Sequence, residues 1–147
     1  MLPPRLRYVC ASFLLSVAAG FSYPQHGKEV GIGSGLSFLE EEKSWVPAVH
    51  VHFVRQLHRK FYTGVSFENI YDEHNHGVLS VVFSYRISGL SLSYMPGFYL
   101  YGGSGLNHYL EVSYIFEYRR LHVGPFVSAS YGKENHYSAG LHMGFPF

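Results

Sequence analysis

Cysteine and tryptophan each occur once in the 147 residues, at Cys10 and Trp45. A single thiol excludes an internal disulfide framework. Charged side chains make up only 14% of the chain, against roughly 25% in an average soluble domain. The net charge of +1 lacks the basic excess expected of a nucleic-acid binder. There is no continuous apolar run of the ~20 residues that a spanning helix needs. The longest uncharged stretch, Ile87 to Asn107, is broken by Gly89, Pro96, Gly97, Gly102, Gly103 and Gly105. What the chain does have is rings. Aromatics reach 18% and are spread throughout, which excludes a disordered composition.

The N-terminus is laid out differently from the rest. Arg5 and Arg7 precede an uncharged run, Tyr8 to Phe21, with an apolar centre from Val9 to Val17 and small residues at Ala18, Ala19 and Gly20. This order predicts a secretory signal peptide over residues 1–22 and a single domain over 23–147. Cleavage after Gly20 and cleavage after Ser22 both fit. Cys10 falls inside the signal, so the exported chain would have no thiol.

Downstream, apolar residues recur at every second position, the period of a β-strand. Val30, Ile32, Leu36 and Phe38 oppose Glu29, Gly31, Gly33, Gly35 and Ser37. Val49, Val51 and Phe53 oppose His50 and His52. Phe61 to Phe67, Val81 to Ile87, Leu90 to Leu100, Leu110 to Tyr118, Leu121 to Ala129 and Tyr137 to Phe147 repeat the pattern, which makes eight strands in all. Tight connections at Leu57 to Lys60, Ser88–Gly89 and Arg119–Arg120 alternate with longer polar ones at Glu40 to Trp45, Tyr71 to Gly77, Tyr101 to Asn107 and Gly132 to Asn135. Short turns at one end and longer loops at the other are the layout of a membrane barrel. The non-apolar face is Gly, Ser, His, Glu and Arg, small or titratable residues that would fill the narrow interior of an eight-stranded barrel. Pro96 and Pro125, which remove ladder hydrogen bonds, are expected at bulges. The expected fold is all-β: an eight-stranded antiparallel up-and-down transmembrane barrel following a signal peptide.

The chain ends Gly144-Phe145-Pro146-Phe147, with a terminal aromatic on the apolar face. Together with the signal and the alternating strands, this resembles the small outer-membrane β-barrel proteins of Gram-negative bacteria. The resemblance implies a place in the bacterial outer membrane among lipid and lipopolysaccharide. It also implies recognition of the last strand by the barrel assembly machinery. His76, His108 and His136 each open a strand, and Tyr85-Arg86 and Tyr118-Arg119 each close one, as in a repeated hairpin unit.

Four groups of residues are candidates for chemistry. His74, His76, His108 and His136 fall at the longer loops, on what would be the extracellular rim. If they converge, two or three imidazoles with Glu73 or Glu134 could hold Zn²⁺ at ~2.0–2.2 Å; otherwise they are solvated loop residues or lipopolysaccharide contacts. Glu29, His50, His52, Glu68, Arg86, Glu111, Glu117, Arg119, His122 and His142 all lie on the inward face. They read as a polar plug of paired side chains, or as a narrow proton or ion path. His136-Tyr137-Ser138-Ala139 looks like the His-x-Ser-Asn segment of the outer-membrane lipid A 3-O-deacylases. Here Ala139 replaces the Asn, and both His136 and Ser138 face the lumen rather than the lipid. The fourth group is aromatic. Trp45, Tyr71, Phe98, Tyr101, Tyr109, Tyr131 and Tyr137 at the loop ends, and Phe53, Phe61, Tyr85, Tyr118, Phe145 and Phe147 at the turn ends, suggest two interfacial belts. Gly31-Ile32-Gly33 has no helix after it and is no nucleotide loop.

The leading expectation is a monomeric, non-enzymatic outer-membrane barrel, plugged by its side chains, with a structural or surface-interaction role and no resident cofactor. A lipid A-modifying hydrolase and a soluble lipocalin-like ligand carrier are the alternatives. A lipocalin would need an apolar interior, whereas this pattern puts Gly, Ser, Glu and His inside.

Overall fold

The structure is a computed structural model and describes residues 27–147. The expected signal peptide lies outside the described residues. Nine strands follow one another: β1 (Lys28–Leu39), β2 (Ser44–His58), β3 (Phe61–Ile70), β4 (His76–Ile87), β5 (Leu90–Tyr101), β6 (Leu106–Tyr114), β7 (Phe116–Tyr118), β8 (Leu121–Tyr131) and β9 (His136–Pro146). Each pairs antiparallel with its neighbours, in the order β6-β5-β4-β3-β2-β1-β9-β8-β7, and β6 also pairs with β8. That last pairing closes the sheet. β6 and β7 are two parts of one wall strand, so the barrel has eight staves. Closure leaves no long open edge for another chain to pair with.

The break between β6 and β7 has a visible cause. Ser113 pairs with Phe126 and Phe116 with Val123, so the same register runs through the gap and would put Pro125 opposite Tyr114. Proline has no N–H to offer that ladder. Ile115 turns instead to the neighbouring turn, where its N–H donates to Gly89 O at 2.6 Å. Pro96 also keeps register: Ser80 pairs with Gly97 and Phe83 with Tyr94 on either side of it. The bulges expected at the two prolines are therefore absent. Register shifts occur instead at Gln56/His58 and at Gly77/Val78.

The turns follow local chemistry. Ser88 and Gly89 both have positive φ, 50° and 80°, the combination that a tight two-residue hairpin requires. The first long connection proves short, a turn over 40–43. The fourth spans 132–135, as the sequence pattern indicates.

Alternation sorts the side chains without exception along the middle of each stave. Val30, Ile32, Val51, Val65, Val81, Phe83, Leu92, Leu110, Val127 and Leu141 are exposed on the outer wall. Glu29, His50, Glu68, Arg86, Glu111, His122 and His142 are buried inside. The sheet is thus inverted relative to a water-soluble domain, with its apolar face outward. Inside, Val54, Tyr62, Val82, Met95 and Tyr109 form an apolar cluster. Leu39, Ala48 and Ile70 form another.

Candidate functional site

Two polar assemblies occupy the described interior, one toward each end. The first centres on Glu29, at the start of β1. Arg86, near the end of β4, donates two hydrogen bonds to its carboxylate, at 2.8 and 2.7 Å. His122 Nδ1 lies 2.6 Å from the second oxygen, and His52 Nε2 approaches the first at 3.5 Å. Burying a carboxylate is costly unless it is paired and hydrogen-bonded, and the partners here come from three other staves. The Arg86 guanidinium also sits 4.4 Å above the Tyr62 ring.

Above this cluster His50, His52 and His142 stack. The His52 and His142 centroids are 4.9 Å apart, and Phe126 meets His50 edge-on at 5.0 Å. The glycines of β1 make room for these rings. Gly31 pairs with His52 and Gly33 with His50, and a Cβ at either glycine would collide with the imidazole opposite. Close approach of a neighbouring side chain is thus the reason for the Gly31-Ile32-Gly33 spacing.

Hydroxyls satisfy one another elsewhere in the lumen. Ser37 and Ser138 lie 2.5 Å apart, Ser84 bonds Ser91 and Ser93 at 3.0 Å, and Ser130 donates to Asn107 at 2.6 Å. Cavities of about 20 and 10 Å³ remain among inward-facing side chains, room for about one water in the larger. A far larger hollow, about 640 Å³, lies on the outer wall between residues such as Phe61, Phe83, Leu92 and Leu110.

Two members of the expected lumen set are elsewhere. Glu117 and Arg119 are exposed. β7 pairs only with β8, and β5 begins at Leu90 opposite Tyr114, so this hairpin overhangs the turn end with no wall beside it. Arg119 lies against the Tyr118 ring, 5.5 Å from its centroid. Among the expected belt residues Tyr109 points inward and is buried, whereas the other loop-end rings are exposed.

The second assembly is at the loop end. His76 opens β4 and is buried. Its Nδ1 lies 3.0 Å from Asp72 Oδ2, and its Nε2 lies 3.1 Å from Glu134 Oε2. Below it, His136 Nε2 approaches Glu68 Oε2 at 3.6 Å. The four rim histidines named from sequence are dispersed. His74 is exposed, with its ring centroid 6.4 Å from that of His76. His108 is on the outer wall, where its Nδ1 meets the Tyr94 hydroxyl at 2.8 Å. His136 is inside the barrel. His76 alone of the four gathers two carboxylates, Glu134, anticipated from sequence as a partner, and Asp72. Asp72 lies four residues before His76, but sequence carried no signal that Glu134 would reach the same ring.

His136 and Ser138 share the inward face, as alternation predicts. Ser138 Oγ is bonded to Ser37 Oγ and His136 faces Glu68, so each has a partner other than its fellow.

No protein-family model matches the chain, and no curated protein matches it. Its fold does have a counterpart. The chain is similar to a solved structure described as "De novo design of transmembrane beta-barrels", with a TM-score of 0.56 over 84% of this chain and 99% of that one. Their sequences are 10% identical, so the likeness concerns the fold alone.

Proposed function

We propose that this chain is a monomeric, non-enzymatic β-barrel of the bacterial outer membrane, with a plugged interior and a structural or surface-interaction role. The outer wall carries this reading. On every stave most outward positions are apolar, with a few polar ones such as Ser34, Thr63 and His108 among them, and many of the apolar side chains are 40–65% exposed, for example Leu36 at 52%, Val127 at 58% and Leu141 at 65%. A soluble monomer rarely leaves a continuous apolar surface of more than a few hundred Å² in water. A bilayer covers such a wall, and closure pairs every wall strand on both sides apart from the short β7, as a lipid-facing sheet requires. Exposed rings at both ends fit the headgroup regions. The designed barrel of similar fold is named for the same setting.

In this reading the long loops face outward from the cell and meet lipopolysaccharide. β9, with Phe145 on its outer face and Phe147 just beyond its end, is the strand that the barrel assembly machinery engages. The interior holds side chains in place of a ligand or a pore. Heat-modifiable gel mobility of the outer-membrane fraction is the test. Unboiled protein is expected to run as a compact band that shifts on boiling, and recovery only in the soluble fraction would contradict the reading. The non-enzymatic part is tested by lipid A mass spectra with and without the protein, where loss of an acyl chain would contradict it.

A further inference from the structure

We infer that Asp72, His76 and Glu134 form a binding site for a divalent transition-metal cation that ties two opposite loops together across the barrel mouth. The inference rests on loop geometry and stands apart from the membrane reading. Asp72 lies in the β3–β4 connection and Glu134 in the β8–β9 connection. Counted round the eight staves, those connections lie on opposite sides. One imidazole nitrogen and one oxygen from each carboxylate lie within 4.8 Å of one another.

Three observations point to a cation rather than to an ion-pair clasp. First, the contacts are short but not aligned as hydrogen bonds. Asp72 Oδ2 and His76 Nε2 are buried and no hydrogen bond reaches either, although the ring nitrogens lie 3.0 and 3.1 Å from carboxylate oxygens. An imidazolium between two carboxylates would aim an N–H at each. A single ion takes one ring nitrogen, and Nε2, which no hydrogen bond reaches, is the one beside Glu134. Second, two of the three ligands are deeply buried: His76 is 3% exposed and the Asp72 side chain 0%, while Glu134 reaches in from the loop at 28%. Unpaired buried carboxylate is costly, and among the described residues neither carboxylate has a lysine or arginine partner. Third, the charges balance, because two carboxylates and a neutral imidazole cancel a divalent cation.

The donor set indicates the class of ion. An imidazole nitrogen favours zinc and its transition-metal neighbours over Mg²⁺ and Ca²⁺, which prefer all-oxygen shells. Three protein ligands leave a position for water. Bound there, the ion would hold the mouth closed by linking staves that share no backbone hydrogen bonds.

Two measurements on the purified full chain in detergent test this. In calorimetric titration Zn²⁺ is expected to bind at about one ion per chain. His76→Ala, Asp72→Asn and Glu134→Gln should each weaken binding by at least ~10–100-fold, while His74→Ala leaves it unchanged; heat-modifiable mobility checks that each variant is folded. Equal affinity in His76→Ala, or the loss appearing in His74→Ala, would overturn the site. The second measurement needs no variant. Lys133 is exposed in the loop that carries Glu134, so trypsin cleavage after it should slow on adding Zn²⁺ and not on adding Mg²⁺. Cleavage indifferent to Zn²⁺ would overturn the proposed link between the loops.

Discussion

Glu29 on β1 and Arg86 on β4 join across the barrel interior through two parallel hydrogen bonds, at 2.7 and 2.8 Å. They stand three staves apart, so the pair braces the wall where no sheet hydrogen bond can. His122 and His52 complete the carboxylate's surroundings from two further staves.

Removing one partner should cost far more than removing both. Arg86→Met leaves Glu29 charged and short of its main donor, and is expected to lower stability by about 3–5 kcal/mol. The double variant with Glu29→Gln should recover much of that loss. Urea unfolding from lipid vesicles measures both. A double variant as damaged as the single would show that the pair is not the brace.

Gly33 is there because His50 is opposite. Gly33→Ala puts a methyl into a packed, stacked ring and should destabilise by about 1–3 kcal/mol. The same change in a His50→Ala background should cost much less, and the non-additivity of the two is the measurable signature. Simple additivity would contradict the steric account.

The wall predicts a gradient. Val127, mid-stave and outward, is expected to lose ~2–4 kcal/mol on replacement by Arg, whereas Leu106 at the loop end should lose only ~0–1. Unfolding titrations in vesicles read the difference. Equal costs would mean that the wall is not crossing a bilayer.

Planar-bilayer recording should find no stable large conductance from purified monomer. The interior cavities are about 20 and 10 Å³, and Glu29, Arg86, Glu68 and Glu111 occupy the remaining width. Steady open-channel current would refute the plug.

Much of this architecture is legible in the sequence because it is local. A period of two tells inside from outside at each residue, and it places Glu29, His50, His52, Glu68, Arg86, Glu111, His122 and His142 in the lumen. Two-residue turns such as Ser88-Gly89 announce themselves by composition. What stays hidden depends on partners distant in the chain. Pro125 is plain to see, but that it faces Tyr114 and splits that stave is a matter of register. Glu117 and Arg119 alternate correctly, yet they overhang because β5 starts too late to shelter them. The rim histidines show the same limit. All four sit near loops, but only the path of the β8–β9 connection decides that Glu134, rather than His108 or His136, reaches His76.

The central claim is that the exposed apolar wall lies in lipid, and a fluorescence-quenching measurement tests it most directly. With Cys10 replaced by Ser, a fluorophore is attached at Leu141→Cys, and in a second sample at Lys133→Cys. The account predicts that brominated acyl chains quench the probe at position 141 and that aqueous iodide quenches only the one at 133. Iodide quenching at 141, with no effect of brominated lipid, would contradict it.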